Sequence, residues 1–387
     1  YKPLRKHFDG LSVGFPKTKS GIEFKILRTV YDVEDVPYML ALTDKDETME
    51  TVRKRFINKT GKEISSEALH NVYEKIRSQG GVRLFKDEKG ELKYAIAPFL
   101  IGMYEYSLHR FTKDWVQTLD GYMNEKFAIN YLSTEVPQMR VIPINEAIED
   151  NRGSVSYEKV REMIKNSPGP FVLGDCVCKL GKLKEGKPCK QTDRTETCMA
   201  TGPMAQIFLA EGWGNEISKE EALEVQTLNE KEGLLMQVEN CQEPEFFCGC
   251  CNCCCGPLHM GQYMPRSVDF LQNNYHAEIN YKECILCKAC ERTCPMDAIS
   301  IPNRQKGKNT GVSSDEPPKS SINLEKGIGC GLCVSKCPKD AIKLEKNDKH
   351  VVPPQDRDEL YDIIRDNKRG RIRKYYRLFK ASRGKEV

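Results

Sequence analysis

The chain has 387 residues, and all 18 of its cysteines lie between Cys176 and Cys337. Its 60 basic and 56 acidic side chains leave a formal net charge of +4, which argues against general polyanion binding. The mean hydropathy is −0.57, and no apolar run approaches the roughly 18 residues of a membrane-spanning helix, so we expect no transmembrane segment. At about 150 residues per domain, the length allows two or three domains.

Residues 1–98 are predicted to form an N-terminal extension followed by a winged-helix-like domain. Apolar residues at helical spacing predict helices at about 36–42, from Asp46, and after an N-cap at Ser65. Alternating apolar residues around the polar turn at 87–90 predict a two-stranded wing. Winged helices often bind DNA, but the third helix is poor in Arg and Lys. A structural or docking role is therefore favoured over DNA binding.

Residues 99–166 are predicted to be a helical region. Met103, Leu108, Trp115 and Leu119 recur at helical spacing within a tract that runs from Pro98 to about Leu132. Such a stripe is more typical of a buried core than of a cofactor site. A further helix is expected at 157–165, just before the first cysteines.

A cysteine-rich iron–sulfur domain is predicted over 167–273, and its first part carries four cysteines within 23 residues. Their spacing matches no zinc finger and suffices for one four-iron cluster, although zinc would also accept four thiolates. Five lysines line this segment, either as a solvated face or as positive charge that raises the potential of a cluster. The cysteines are Cys176, Cys178, Cys189 and Cys198, and the lysines are Lys179, Lys182, Lys184, Lys187 and Lys190.

The second part of this domain crowds six cysteines into eight residues. Disulfides are disfavoured, because neighbouring cysteines rarely reach the required geometry without strain. Six thiols exceed the four ligands of one cubane, so the block is predicted to serve more than one cluster or a single cluster larger than a cubane. Spacing does not assign its thiols to individual clusters. The iron ligands predicted here are Cys248, Cys250, Cys251, Cys253, Cys254 and Cys255.

A bacterial two-cluster ferredoxin domain with duplicated βαβ-like halves is predicted over 274–345. The first half matches the ferredoxin run C-x2-C-x2-C-x3-C-P, and the second half repeats its later part. Both halves continue with Pro-x-Asp-Ala-Ile, which indicates an internal duplication. Between them, the polar stretch 302–321 is predicted to be an inserted loop. The cysteines of the two halves are Cys284, Cys287, Cys290, Cys294, Cys330, Cys333 and Cys337.

Crossed ligation in such domains predicts one complete and one incomplete cluster. The complete cluster takes Cys284, Cys287, Cys290 and Cys337. The incomplete cluster keeps Cys294, Cys330 and Cys333, because Gly327 stands where a fourth cysteine is expected. This site is open to several interpretations: a [3Fe-4S] cluster, a four-iron cluster whose free iron takes water, Glu325 or a substrate, a thiolate borrowed from the upstream block, or the artefact of one altered residue.

Residues 346–387 are predicted to be a basic C-terminal tail. A helix is expected at about 356–364, followed by the basic run 368–374. Such a run is usually solvated or packed against an acidic partner, and nucleic-acid binding is not favoured.

Several stretches together resemble a family of proteins from anaerobes known as 4Fe-4S-binding or 4Fe-4S dicluster-domain ferredoxin-like proteins. They are GFPKTKSGIEFKILRTVY, APFLIGMYEYSLHR, PQMRVIPI, the C-x-C…C…E-T-C group and FFCGCCNCCCG ahead of the ferredoxin repeat. The family block usually reads CNCCGCCCG, so Gly249 and Asn252 are exchanged here without loss of a cysteine. Its second ferredoxin motif reads CIGCGLC, whose first cysteine is Gly327 in this chain. The resemblance implies electron transfer in strict anaerobes, often together with larger redox enzymes.

The sequence as a whole predicts an α+β multidomain protein that carries about four iron–sulfur clusters, mostly [4Fe-4S]. We expect a cytoplasmic electron-transfer protein whose partner is a larger redox enzyme or complex, or a soluble ferredoxin. No catalytic triad, phosphate loop or dinucleotide fingerprint is present, so an electron-transfer subunit is favoured over a stand-alone enzyme. Two alternatives are an iron–sulfur redox-sensing winged-helix regulator and substrate reduction at an open-coordination cluster.

Overall fold

The computed structural model describes residues 1–132, 134–148, 155–302, 320–368 and 371–387. Helices and strands alternate irregularly along the chain. The helices are Lys2–Gly10, Ile22–Val30, Val36–Met39, Met49–Thr60, Ser66–Ser78, Lys113–Tyr122, Ala128–Leu132, Asn145–Ile148, Val160–Asn166, Val177–Lys184, Gly202–Glu211, Lys219–Lys231, Gly256–Tyr263, Ala289–Thr293, Leu332–Ser335, Arg357–Asp366 and Arg371–Ser382. The strands are Glu47–Thr48, Val82–Lys86, Leu92–Ile96, Met139–Ile142, Phe171–Asp175, Glu196–Thr201, Gly214–Ile217, Leu235–Glu239, Phe246–Cys250, Tyr275–Ile279, Ile299–Ser300, Ser321–Ile322 and Ile342–Lys346.

In the N-terminal region, a first helix, Met49–Thr60, and a second helix, Ser66–Ser78, directly precede a β-hairpin. Ser65 caps the helix Ser66–Ser78 by accepting a hydrogen bond from the amide of Ala68 (3.1 Å). The strands Val82–Lys86 and Leu92–Ile96 pair antiparallel, and Glu47–Thr48 adds a short third strand. This order agrees with a winged-helix outline, which stays a prediction. The basic residues Lys75 and Arg77 near the end of the second helix are held in ion pairs with acidic side chains of the protein.

The predicted helical tract from Pro98 to Leu132 is interrupted in the structure. Its first turn, Phe99–Met103, contains three residues with non-helical backbone angles, and regular helix begins only at Lys113. A Cβ atom on Gly102 would lie 2.9 Å from the Pro98 ring, so this tight turn needs glycine. The carboxylate of Glu105 accepts a hydrogen bond from the Gly102 amide (2.9 Å) and fixes the turn. The interruption brings Leu100 and Ile101 to the wall of the cysteine-lined cavity described below.

A six-stranded antiparallel sheet, here called the central sheet, carries many of the cysteines. Its strand order is Met139–Ile142, Leu235–Glu239, Phe246–Cys250, Glu196–Thr201, Phe171–Asp175 and Gly214–Ile217. Cys198 and Cys248 are direct partners on adjacent strands. The strand Phe171–Asp175 ends immediately before Cys176, and Phe246–Cys250 ends at Cys250. Antiparallel pairing therefore gathers cysteines that are far apart in sequence at the same end of neighbouring strands.

The C-terminal unit is built from two similar halves. Its outer strands Tyr275–Ile279 and Ile342–Lys346 pair antiparallel along five residues each, and Ile299–Ser300 pairs with Ser321–Ile322. Of the predicted inserted loop at 302–321, residues 303–319 lie outside the described residues. Among the residues that the structure describes, no helix has the length and apolar character needed to cross a bilayer.

The region expected to be a basic tail begins at the last residue of a strand and continues into a helix that packs on the N-terminal core. Ile342–Lys346 closes the outer sheet of the C-terminal unit, and Arg357–Asp366 buries Leu360 and Tyr361 completely. Ser12 donates to the carbonyl of Tyr361 (2.8 Å), and Gln138 donates to its hydroxyl (2.8 Å). The chain end is thus tied to residues more than 200 positions earlier.

We expect Leu360→Ala to lower the free energy of unfolding by about 3 kcal/mol, because it removes a fully buried side chain from a packed core. The measurement is urea denaturation of the anoxically held chain. Asp366→Ala on the exposed side of the same helix is the control and should change stability by less than about 0.5 kcal/mol. Equal, small effects of both substitutions would show that the helix contributes little to the fold.

Candidate metal centres

The first set of ferredoxin-type cysteines lies at an exposed side of the C-terminal unit. Cys287 is exposed, whereas Cys290 is buried. Burial raises the pKa of Cys290 to about 11, with further contributions from the nearby thiols of Cys284 and Cys287. These three thiols therefore lie together, as the ferredoxin run predicts.

The second set lies on the inner side of the same unit. Cys330 and Cys333 are buried, and burial raises the pKa of Cys330 to about 12. Cys294 adds to the upward pKa shift of both thiols, which places it beside them. The structure thus brings together the three cysteines that crossed ligation assigns to the incomplete cluster.

The duplication extends to the hydrogen bonds that the last cysteine of each half, Cys294 or Cys337, accepts at its sulfur. The amide of Ala298 donates to Cys294 Sγ at 3.3 Å, and the amide of Ala341 donates to Cys337 Sγ at 3.3 Å. In both halves the preceding aspartate, Asp297 or Asp340, adopts a positive φ. The repeated Pro-x-Asp-Ala segment is therefore a turn that offers an N–H group to a sulfur ligand, which stabilises the thiolate form.

Gly327, where a fourth cysteine is expected, has space for a side chain. An added Cβ atom would meet its nearest neighbours, Asn323 O, Ile322 Cγ2 and Ala298 Cβ, at ordinary contact distances of 3.5–3.9 Å. Glu325, one of the alternative ligands, forms an ion pair with Arg266 instead. The inner set therefore has three sulfur donors, and the carboxylate of Glu325 is already engaged by Arg266.

We expect Gly327→Cys to convert the inner set into a four-thiolate site. If the native site binds a three-iron cluster, iron per chain should rise by about one, and the EPR signal of the oxidised three-iron form should disappear. Gly327→Ala is the matched control, since it adds the Cβ atom without the sulfur. Identical iron content and identical spectra in both variants would contradict the assignment of this position to the cluster.

Six other thiols form a closed ring, here called the six-thiol ring. Each one influences the pKa of two others, and these pairwise influences run around the ring without a break. In ring order the members are Cys176, Cys178, Cys255, Cys250, Cys248 and Cys198.

The electrostatics of the ring favour two thiolates, those of Cys176 and Cys255, which both neighbour Cys178. Interactions with the thiols of Cys178 and Cys198 lower the pKa of Cys176 well below its usual value. Interactions with the thiols of Cys178 and Cys250 lower the pKa of Cys255 in the same way. The other ring thiols have raised pKa values. A neighbouring ring thiol is the leading cause for Cys178, Cys198 and Cys248. For Cys250, the interaction with Cys248 lowers the pKa, but the interaction with Cys255 and burial outweigh it.

The ring borders a cavity of about 60 Å³ with mostly apolar walls, to which Leu100, Phe208 and Phe246 contribute. Gln237, from the neighbouring strand, donates to Cys255 Sγ at 3.4 Å. Burial raises the pKa of the lining residue Glu105 to about 7. Apolar walls exclude water, and few polar groups surround the sulfurs, so this environment suits a buried inorganic group held by thiolates.

Four further thiols form a second, tighter group, here called the tetrathiol site. Its members are Cys189, Cys251, Cys253 and Cys254, whose sulfurs all lie within 4.8 Å of one another. The sulfur of Cys189 is 3.5 Å from that of Cys251 and 3.7 Å from that of Cys253. Within the described parts of the chain, no other set of three or more potential ligands is this compact.

Lys179 is buried between the ring and the tetrathiol site. Its ammonium donates to the carbonyl of Gly249 (2.7 Å) and to the hydroxyl of Thr197 (3.0 Å). Burial alone would lower the pKa of Lys179, but electrostatic attraction to the sulfurs of Cys176 and Cys198 outweighs it and raises this pKa above its usual value. Lys179 therefore supplies a fixed positive charge beside the sulfur groups.

The ring and the inner ferredoxin-type set share one apolar cluster, to which Cys250, Cys255 and Cys330 all belong. A cavity of about 340 Å³ separates Cys250 and Cys251 from Cys294. Asn252 spans the contact, since its amide donates to the carbonyl of Pro295 (3.1 Å). The cysteine-rich block thus faces the C-terminal unit directly.

The structure groups the predicted ligands differently from their order in the sequence. Cys189 lies apart from Cys176, Cys178 and Cys198 and joins three members of the block. The other three block cysteines complete the six-thiol ring with those three. Sequence analysis also treated Lys179 as one of five equivalent lysines, and it missed Gln237 and Glu105, which no motif marks.

Comparison with known proteins supports the C-terminal part of this description. Residues 283–341 match the family model of the 4Fe-4S dicluster domain. The prediction of an iron–sulfur domain there is confirmed, and the cysteine groups of the structure fit iron–sulfur binding. Neither the curated proteins nor the solved structures gave a match to the chain. The six-thiol ring and the tetrathiol site lie outside the matched residues.

Proposed function

We propose that the chain is a multi-cluster electron-transfer protein that relays single electrons between its ferredoxin-type end and a partner oxidoreductase. Thiolate-bound iron–sulfur clusters, when present, supply reversible one-electron chemistry whose potential the protein sets by charge, hydrogen bonds and burial. The observation that carries the proposal is the succession of sulfur groups: an exposed set at Cys287, an inner set at Cys330 and the buried six-thiol ring.

Apolar residues link the successive sulfur groups. Cys290 and Cys333 belong to one apolar cluster, which links the outer and inner sets. Cys250 and Cys330 belong to another, which links the inner set to the ring.

The donor set of the ring supports one cluster with more iron than a cubane. A cubane has four irons and takes four thiolates, so it would leave two of the six ring thiols without a metal. Each of the six influences the pKa of two neighbours around one closed ring, and the backbone of the central sheet fixes Cys198 opposite Cys248. We therefore assign the ring to a single large cluster.

The proposed setting is a reducing cytoplasm in an anaerobic organism, because half-exposed thiolates and exposed cluster ligands do not survive oxidants. The proposed partner at the outer end is a soluble ferredoxin or a larger redox complex, since Cys287 is exposed there. DNA binding has less support, because Lys75 and Arg77 of the candidate recognition helix already pair with carboxylates.

The test is anoxic reduction of the full chain by a reduced bacterial two-cluster ferredoxin, followed by EPR at stepped potentials together with iron and acid-labile sulfide analysis. We expect several distinct one-electron signals and reduction of the ring signal by the ferredoxin. Cys284→Ser should slow that reduction by about tenfold or more, whereas Cys241→Ser, outside all sulfur groups, should not. A colourless, iron-free chain, or equal rates in both variants, would refute the relay.

A further inference from the structure

We propose that the tetrathiol site binds one mononuclear, tetrahedral metal ion, Zn²⁺ or Fe²⁺, rather than an iron–sulfur cluster. The ligands are the thiolates of Cys189, Cys251, Cys253 and Cys254. This inference is independent of the proposed electron relay, because it assigns the four thiols to an ion that is bound without inorganic sulfide.

The first argument is the spacing of the sulfurs. A tetrahedral ion with metal–sulfur bonds of about 2.3 Å places its sulfur ligands about 3.8 Å apart. The sulfur of Cys253 is 3.4 Å from that of Cys251 and 3.8 Å from that of Cys254. The sulfur of Cys189 is 3.5 Å from Cys251 Sγ and 3.7 Å from Cys253 Sγ. These distances suit four sulfurs that share a single ion.

The second argument is a comparison within the same molecule. In a cubane each thiolate binds a different iron, so the sulfurs stand further apart than around one ion. The ferredoxin-type cysteines, whose domain is identified by its family match, do not form any group of three within 4.8 Å. The ring thiols do not form such a group either. The tetrathiol site is therefore different in kind from the sites that suit clusters.

The third argument is the surroundings of the sulfurs. The backbone amide of Gln191 donates to Cys189 Sγ at 3.4 Å. An outer contact of this kind orients a sulfur ligand and offsets its negative charge. Cys189 and Cys253 are half-buried, so an ion can reach the site from solvent.

Binding requires no electron transfer. Four thiols release four protons, four metal–sulfur bonds form, and a divalent ion then carries a net charge of −2 with its ligands. The bonds would join the segment around Cys189 to the block and hold both beside the ring. The site has no open position, which is the pattern of structural rather than catalytic ions.

The experiment compares the full chain with Cys189→Ser and with Cys241→Ser, a buried cysteine outside every group. Zinc, iron and acid-labile sulfide are measured after anoxic isolation. We expect Cys189→Ser to lose about one metal ion per chain with unchanged sulfide, and Cys241→Ser to lose neither. X-ray absorption at the zinc or iron edge of the unmodified chain should show an ion with four sulfur neighbours at about 2.3 Å and no nearby iron.

Loss of about four irons together with about four sulfides in Cys189→Ser would overturn the proposal, because it would show a cubane at this site. Absence of any sulfide-free metal in the unmodified chain would overturn it as well, even if the variant fails to fold. Zinc and sulfide-free ferrous iron both support it, and the absorption edge tells them apart. The iron and sulfide of residues 283–341 test the proposed function separately.

Discussion

Replacing Cys255 with serine should abolish metal binding at the six-thiol ring while the dicluster domain keeps its iron. Cys255 touches Cys178 and Cys250, and it accepts a hydrogen bond from Gln237, so it closes the ring between two separate segments. A serine hydroxyl stays protonated where a thiol ionises and is a poor ligand for iron. We expect occupancy of the ring to fall by more than about tenfold, since even changes to groups outside the ligand set cost that much.

Iron and sulfide analysis of the anoxic chain measures this effect, and EPR separates the ring from the dicluster signals. Cys241→Ser is again the control, because Cys241 is equally buried but contacts no other thiol of the sulfur groups. Retention of all iron and sulfide by Cys255→Ser would show that the ring is not a cluster site. Loss of the dicluster signals as well would show that the variant disrupts the fold.

The ferredoxin-type ligands could be predicted from the sequence because the signal is local. Cys284, Cys287, Cys290 and Cys294 lie within one short run whose spacing fixes the direction of each thiol. The repeat of that run identified the partner half. The positive φ angles of Asp297 and Asp340 show that the backbone conformation also follows the repeated sequence.

The ring could not be predicted, because its members are gathered by strand pairing. Cys198 meets Cys248 only through the register of two strands that are distant in sequence. Alternation along the strand Phe246–Cys250 puts Cys248 and Cys250 on the same face, whereas Cys251 starts the turn toward Cys189. No spacing rule reveals that one block divides between two sites.

The same limit applies to Lys179 and to the C-terminal helix. Five lysines look equivalent in the sequence, and only the packing of the helix Val177–Lys184 against the central sheet buries Lys179. The sequence predicted a helix at about 356–364 but not the distant core that covers its residues Leu360 and Tyr361. Long-range contacts decide both cases, and local patterns do not contain them.

Lys179→Gln should lower the midpoint potential of the ring by about 60–120 mV, which corresponds to ~1.4–2.8 kcal/mol for one electron. Glutamine retains a donor for the carbonyl of Gly249 but removes a buried positive charge, so the reduced, more negative state loses stabilisation. Lys182→Gln is the matched control on the same helix. Its ammonium is half-exposed and already pairs with Asp120 and Glu185, so its removal should shift the potential by less than about 20 mV.

An EPR-monitored redox titration measures both shifts at low and high salt. Screening by salt should leave the Lys179 effect nearly unchanged, because that side chain is only 2% exposed, and should reduce the Lys182 effect further. Equal shifts of the midpoint potential in the two variants would mean that the buried Lys179 affects the ring no more than a surface charge does. A shift confined to Lys179→Gln would identify the buried ammonium, which donates to the Gly249 carbonyl and the Thr197 hydroxyl of adjacent strands, as the charge that tunes the ring.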